Sequence, residues 1–178
     1  IDYCYGADYQ ERTFDENLVP TGKVAVDTRK IKEQESLLDQ KDAEIEALRG
    51  SDTVPTMLPG AAFFLGMSYP PAREMIRAGL GVALASDYNP GSSPSGNMRM
   101  VMALASIRMR MTPTEALHAA TLNSACALDL SRDFGSITVG KVANFFLTEP
   151  MPSFEFFTYA YQTPLIARTF LRGEEFVA

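Results

Sequence analysis

Histidine is nearly absent from this chain: His118 is the only one in 178 residues. A metal centre built from several imidazoles of this chain is therefore excluded. Cysteine is almost as scarce. Cys4 and Cys126 cannot form a disulfide framework or a four-thiolate zinc site. No apolar run approaches the ~18 residues of a membrane span, and no segment has the pattern of a signal peptide. Membrane association is accordingly not expected. Positive charge is not in excess either: 16 Lys+Arg stand against 22 Asp+Glu, a formal charge of −6. Duplex nucleic acid calls for a basic surface, so a nucleic-acid partner is not expected. What the chain does have is an apolar fraction of 46%, typical of a globular core and too high for a disordered chain. Its length suits one ordinary domain or a piece of a larger one, and a chain opening on isoleucine is expected to be a fragment.

Composition changes abruptly along the chain. Residues 1–50 carry 12 acids and 7 bases, whereas residues 51–178 carry 10 and 9. Four of the five lysines precede residue 42, while all nine methionines and ten of the eleven prolines follow residue 50. The change marks a boundary within 42–50. The division expected is a leader over 1–42, alternating strands and helices over 43–134, and β-strands over 135–178.

In the leader, residues 1–30 are polar, with Pro20-Thr21-Gly22 as a turn signal and a short strand expected near Val24. Lys30 to Arg49 reads as an amphipathic helix. Ile31, Leu38 and Ile45 recur at spacings of seven, with Leu48 beyond. A coiled coil is one reading, weakened by Gln34 and Lys41 at the other core positions.

Beyond the boundary, Pro70-Pro71 opens a helix expected to run to Gly79. Gly81–Ser86 is a short apolar run suited to a strand buried on both faces, as in a parallel sheet. A Gly/Pro/Ser/Asn-rich loop follows to Asn97, then a helix from Met98 to Arg110 with a stripe of Met98, Met102, Ala105 and Met109. Thr112-Pro113 caps and opens another helix, expected to continue to Leu128. Ser136–Val139, Asn144–Thr148 and a Thr169–Val177 hairpin around Gly173 read as strands. The order favours a parallel α/β arrangement, the end of a barrel, followed by β-strands that dock elsewhere.

The loop after the buried strand holds the candidate chemistry. Asp87 directly follows the apolar run, and in parallel barrels function gathers at the carboxyl ends of strands. A carboxylate there needs a cation, a metal or several donors. Asp87 could ligate a divalent metal, act as general base on a metal-bound water, or cap the loop. Asp before Gly, Pro and Ser is commonly an Asx-type turn residue.

Residues 43–178 resemble imidazolonepropionase, a member of the amidohydrolase superfamily. The resemblance rests on Leu58-Pro59-Gly60-Ala61-Ala62-Phe63-Phe64-Leu65, on Ala85-Ser86-Asp87-Tyr88-Asn89-Pro90-Gly91-Ser92-Ser93-Pro94 and on Met109–Pro113. It rests also on the Glu115–Ala125 and Gly135–Asn144 segments, which are shared more widely across amidohydrolases. The resemblance implies a fragment of a (β/α)₈ barrel with strands of a small β-sandwich. It implies a cytoplasmic enzyme of histidine degradation that hydrolyses the ring amide of 4-imidazolone-5-propanoate to N-formimino-glutamate. A Zn²⁺ or Fe³⁺ ion activates water in that family. By the same resemblance Asp87 binds the metal and moves the proton from water to the leaving nitrogen, and Asn89, Gly91 and Ser92 contact substrate.

The chain departs from that family at the metal. No His-x-His occurs, and His118 lies within a helix after the last strand. A catalytic metal site needs about three protein ligands, so this chain alone is not expected to bind the metal or to be active. Residues 1–41 resemble no part of the family. Two readings compete: the carboxyl-terminal part of an imidazolonepropionase joined to an unrelated leader, or a non-enzymatic coiled-coil protein carrying a barrel remnant. In either, the strand Val82–Ala85 is expected to lack a neighbour on one side, which favours self-association. Arg73, Arg77 and the methionine stripe read as ordinary surface or core, and Cys126 as a small buried residue.

Overall fold

A computed structural model describes residues 28–177 and divides the chain into two units, 1–46 and 47–178. In the first, the helix α1 (Thr28–Arg49) is the described element, its last residues passing into the second unit. It covers the span expected from the sequence. Leu37 and Leu38 are more than half exposed on it. The strand expected near Val24 lies outside the described residues.

The second unit is a layered α/β assembly followed by an antiparallel sheet. Strands β1 (Thr56–Met57) and β2 (Ala83–Leu84) pair in parallel, Thr56 opposite Ala83 and Met57 opposite Leu84. Between them run α2 (Pro59–Leu65) and α3 (Ala72–Arg77). β2 is short but fully buried, with Val82, Ala83 and Leu84 all at 2% exposure or less. Each large apolar side chain so placed contributes roughly 1.5–3 kcal/mol. The long helix α4 (Met98–Met109) starts at Asn97, whose side chain accepts from the Arg99 and Met100 amides. Its stripe is core: Met102, Ala105 and Met109 are buried.

As expected, the strand Val82–Ala85 has a strand neighbour on one side only, β1, but its other edge is not empty. The amides of Ala83 and Ala85 donate across to Pro55 and Met57. On the opposite edge Asn123 Nδ2 donates to the Val82 carbonyl at 2.8 Å, and Ser124 Oγ lies 2.9 Å from the Leu84 carbonyl, its one hydrogen shared with the Ala119 carbonyl at 2.7 Å. Side chains meet these carbonyls where a neighbouring strand would otherwise be needed.

The same two residues bear on the helix that precedes them. The helix expected over 113–128 is two helices, α5 (Pro113–Ala120) and α6 (Leu122–Ala127), broken at Thr121 (φ −123°, ψ −84°). Thr121 Oγ1 donates back to the Leu117 carbonyl at 2.7 Å, competing with continued helix. The break carries Asn123 and Ser124 to β2, and it leaves Cys126 exposed rather than buried while Ala125 takes the inner position.

α5 opens with the capping box its sequence predicts. Glu115 N donates to Thr112 Oγ1 at 3.2 Å, and Thr112 N to Glu115 Oε2 at 2.7 Å. Arg73 is not a solvated surface group. Its guanidinium from α3 pairs with both Glu115 oxygens and donates from Nε to the Arg110 carbonyl at 3.0 Å, where Arg110 ends α4 with φ 57°. The hydrogen bond from Arg73 holds the Glu115 carboxyl down to about 2, from an ordinary 4.5. A lowered folded-state value stabilises the fold above the unfolded value and loses that contribution as pH falls through the folded one. The thermal midpoint is therefore expected to drop by several degrees between pH 5 and pH 2.5. Glu115→Gln should flatten that part of the profile; an unchanged slope would remove the pair from the account of acid stability.

The last part of the chain holds α7 (Phe156–Tyr159) and one antiparallel sheet in the order β3 (Phe145–Thr148), β4 (Ile166–Leu171), β5 (Glu174–Phe176). The β4–β5 turn places Arg172 and Gly173 both at positive φ, the two-residue hairpin its sequence suggests. Ser136–Val139, expected as a strand, is instead a turn-rich segment between Gly135 and Gly140, with Ile137 and Val139 almost wholly exposed. From α4, Arg99 donates to the carbonyls of Phe157, Ala160 and Thr163 and lies 4.8 Å over the Phe157 ring, fixing α7 against α4.

Candidate active site

Asp87 stands at the carboxyl end of β2, the strand that pairs in parallel with β1, and its loop leads into α4. Three sets of bonds shape this loop. The first is a backbone pair: Asn89 N donates to Ser93 O at 3.0 Å, and Ser93 N to Asn89 O at 3.3 Å. The second centres on the Asn89 amide. Its Nδ2 donates to the Asp87 carbonyl at 2.6 Å and reaches Ser92 Oγ at 2.9 Å. Its Oδ1 accepts from the amides of Gly91 at 2.9 Å and Ser92 at 2.8 Å. The third is the buried Ser93, whose hydroxyl donates to the Ser86 carbonyl at 2.6 Å.

Asp87 itself lies in the left-handed region, φ 51°, which Asp tolerates better than most residues but at a cost. Its carboxylate is half-buried, with Ser92 Oγ donating to Oδ2 across a long 3.4 Å. Among the described residues, the carboxylate is thus presented on an ordered loop with most of its acceptor capacity unspent.

The sequence reading grouped Asp87, Asn89, Gly91 and Ser92, and the fold brings all four together. Asn89 differs in one respect from a simple ligand contact: both hydrogens and both lone pairs of its amide have partners within the loop. A substrate group bonding to it has to displace one of them. His118 is exposed on α5 and is no part of this cluster. Gly60, Ser93, Asn123 and Ser124 lie within the motif segments, and the sequence alone assigns them no role. Gly60, Asn123 and Ser124 meet partners tens of positions away, which spacing alone does not reveal.

A metal does not fit the described residues. Among them no three His, Cys, Asp or Glu side chains come together as a ligand group, and Asp87 is without such companions. A hollow of about 630 Å³ lies between α5, α6 and β3, lined by Leu122, Leu128, Phe134, Ile137 and Phe145 among others. It is apolar and does not include Asp87. Among the described residues no helix is long and apolar enough to cross a membrane.

A parallel strand pair ending in a carboxylate loop, with helices between and after it, is the arrangement of an α/β barrel fragment. The chain matches the amidohydrolase family over residues 6–174, and it belongs to that family. The match begins inside the segment set apart above as a leader.

Among curated proteins it is similar to imidazolonepropionases. That of Christiangramia forsetii is 51% identical over 133 residues, covering 75% of this chain and 32% of the relative. That of Flavobacterium johnsoniae is 52% identical over 131 residues, covering 74% and 32%. The chain thus spans about a third of the length of the curated relatives it matches. Among solved structures, an adenosine deaminase from Xanthomonas campestris with bound zinc aligns with TM-score 0.65 at 23% identity, over 75% of this chain and 34% of that one. E. coli guanine deaminase aligns with TM-score 0.64 at 20% identity, over 76% and 36%. These two likenesses establish the fold of this part. The reading as a non-enzymatic coiled-coil protein finds no support in these matches.

Proposed function

We propose that this chain carries the carboxyl-terminal part of an imidazolonepropionase, which opens the ring amide of 4-imidazolone-5-propanoate with water to give N-formimino-glutamate. The observation that carries the reading is identity near 50% to imidazolonepropionases over three quarters of the chain, with Asp87 at a parallel strand end inside the aligned type of fold. In this reading Asp87 is the catalytic carboxylate. It takes a proton from the attacking water and returns it to the ring nitrogen as the carbon–nitrogen bond opens. Gly91 and Ser92 offer a substrate the exposed rim of the loop, and Asn89 acts there through the shape it imposes as well as by contact.

A complete enzyme of this kind would use Zn²⁺ or Fe³⁺, with Asp87 one of its ligands. The described residues supply only that carboxylate, so no step is assigned through a metal here.

The isolated 178-residue chain is expected not to hydrolyse 4-imidazolone-5-propanoate or to retain stoichiometric metal. A hybrid of residues 47–178 with the upstream part of the Flavobacterium johnsoniae imidazolonepropionase is expected to do both. Product formation is followed by disappearance of the substrate's ultraviolet absorbance, and metal by elemental analysis. A folded, metal-loaded hybrid without turnover would overturn the proposed activity.

A further inference from the structure

We propose that Ser93, seated over Gly60, is a positioning residue for Asp87, its hydroxyl fixing the peptide plane that precedes Asp87 and so the direction in which the carboxylate leaves the backbone. The inference deepens the proposed function and rests on Asp87 being the reacting carboxylate.

The direction of a side chain is set by the two peptide planes on either side of its Cα. For Asp87 each plane is held by one side-chain donor. Asn89 Nδ2 holds the Asp87 carbonyl at 2.6 Å, and Ser93 Oγ holds the Ser86 carbonyl at 2.6 Å. These two anchors bracket a residue at φ 51°, a conformation that persists in a non-glycine residue only when the surroundings impose it. The carboxylate is weakly oriented by its own contacts: among the described residues its hydrogen bond is the long 3.4 Å contact to Ser92. Among the described residues, Asn89 is held by its own loop. Ser93 is buried, at 3% exposure, and is also backbone-paired to Asn89, so it ties both anchors to the body of the protein.

Gly60, in the first turn of α2, gives that hydroxyl its room. A Cβ at residue 60 would stand 3.0 Å from Ser93 Oγ and 3.6 Å from the Ser86 carbonyl oxygen. Gly60 has no positive φ to explain it, so space is the reason for the missing side chain. Alanine would ordinarily favour a helix over glycine. Here it presses on the atom that sets the Asp87 backbone.

The test is made on the full 178-residue chain, labelled for NMR, and needs no activity. A left-handed residue gives a strong intra-residue amide–Hα NOE. Asp87, Arg110 and Asp129, at φ 51°, 57° and 56°, should all show it. In Ser93→Ala the Asp87 signal should fall to the level of ordinary residues, while Arg110 and Asp129 keep theirs. Gly60→Ala should weaken the Asp87 signal in the same selective way. The double variant should look like Ser93→Ala alone, because the atom that Gly60→Ala displaces is gone. If Ser93→Ala does not fold, Gly60→Ala decides by the same comparison. An Asp87 signal that survives, or one lost together with those of Arg110 and Asp129, overturns the proposal. A chain that passes while the folded hybrid fails to turn over refutes the activity and leaves the positioning intact.

Discussion

Replacing Asp87 by Asn in the active hybrid is expected to lower kcat by ~10²-fold or more, the typical cost of losing a general base. The substitution is chosen for what it preserves. Asn tolerates the left-handed region as Asp does, so the backbone at φ 51° can persist. The amide keeps an oxygen for the contact with Ser92. What disappears is the negative charge and the basic site. If Asp87 moves the proton, kcat and kcat/KM fall together while KM changes little. Metal content, measured separately, distinguishes lost binding from lost proton transfer. Asp87→Asn with nearly full kcat would reduce Asp87 to the turn residue that its Gly/Pro/Ser setting also allows.

The site was legible in the sequence to the extent that it is local. Asp87 follows a run of small apolar residues, and the run became a buried parallel strand because nothing polar interrupts Val82–Leu84. Thr112-Pro113 and Glu115 announce a capped helix within four letters, and the capping box is there. The methionine stripe is core because spacings of three and four keep it on one face of α4. All of these depend on neighbours within a turn or two.

Other features depend on residues tens of positions away. Arg73 reads as a solvated charge in the sequence because its partners, Glu115 and the Arg110 carbonyl, arrive from other helices. The break at Thr121 was hidden inside an alanine-rich helical pattern. Its cause is partly local, the bond back to Leu117, and partly the demand of the β2 carbonyls 40 residues earlier. The Ser136–Val139 segment reads as a strand by composition. The glycines that flank it turn the chain instead, and its apolar side chains stay outside.

Gly135 and Gly140 make possible a controlled measurement, with Gly135→Ala expected to destabilise the chain by roughly 2–5 kcal/mol. Both residues have nearly the same backbone, φ 88° and 92°, so alanine pays a similar conformational cost at each. Their surroundings differ. A Cβ at Gly140 meets none of the described residues within 4 Å, whereas one at Gly135 would lie 2.8 Å from Ala125 Cβ, 3.0 Å from Leu122 Cα and 3.1 Å from the Thr121 carbonyl oxygen. Two of those three neighbours are backbone and cannot swing aside. Gly140→Ala should therefore cost about 1 kcal/mol, the conformational part alone, and Gly135→Ala that plus the displacement of α6. For a chain of this size each kcal/mol moves the thermal midpoint by roughly 2–4 °C, so the two variants should separate clearly in one melting experiment. The displaced helix is the one whose Asn123 and Ser124 close the free edge of β2. Faster amide exchange along Val82–Leu84 should accompany the loss in Gly135→Ala and not in Gly140→Ala. Equal melting points for the two variants would show that α6 is free to move away from Gly135, and that the edge of β2 does not depend on where α6 sits.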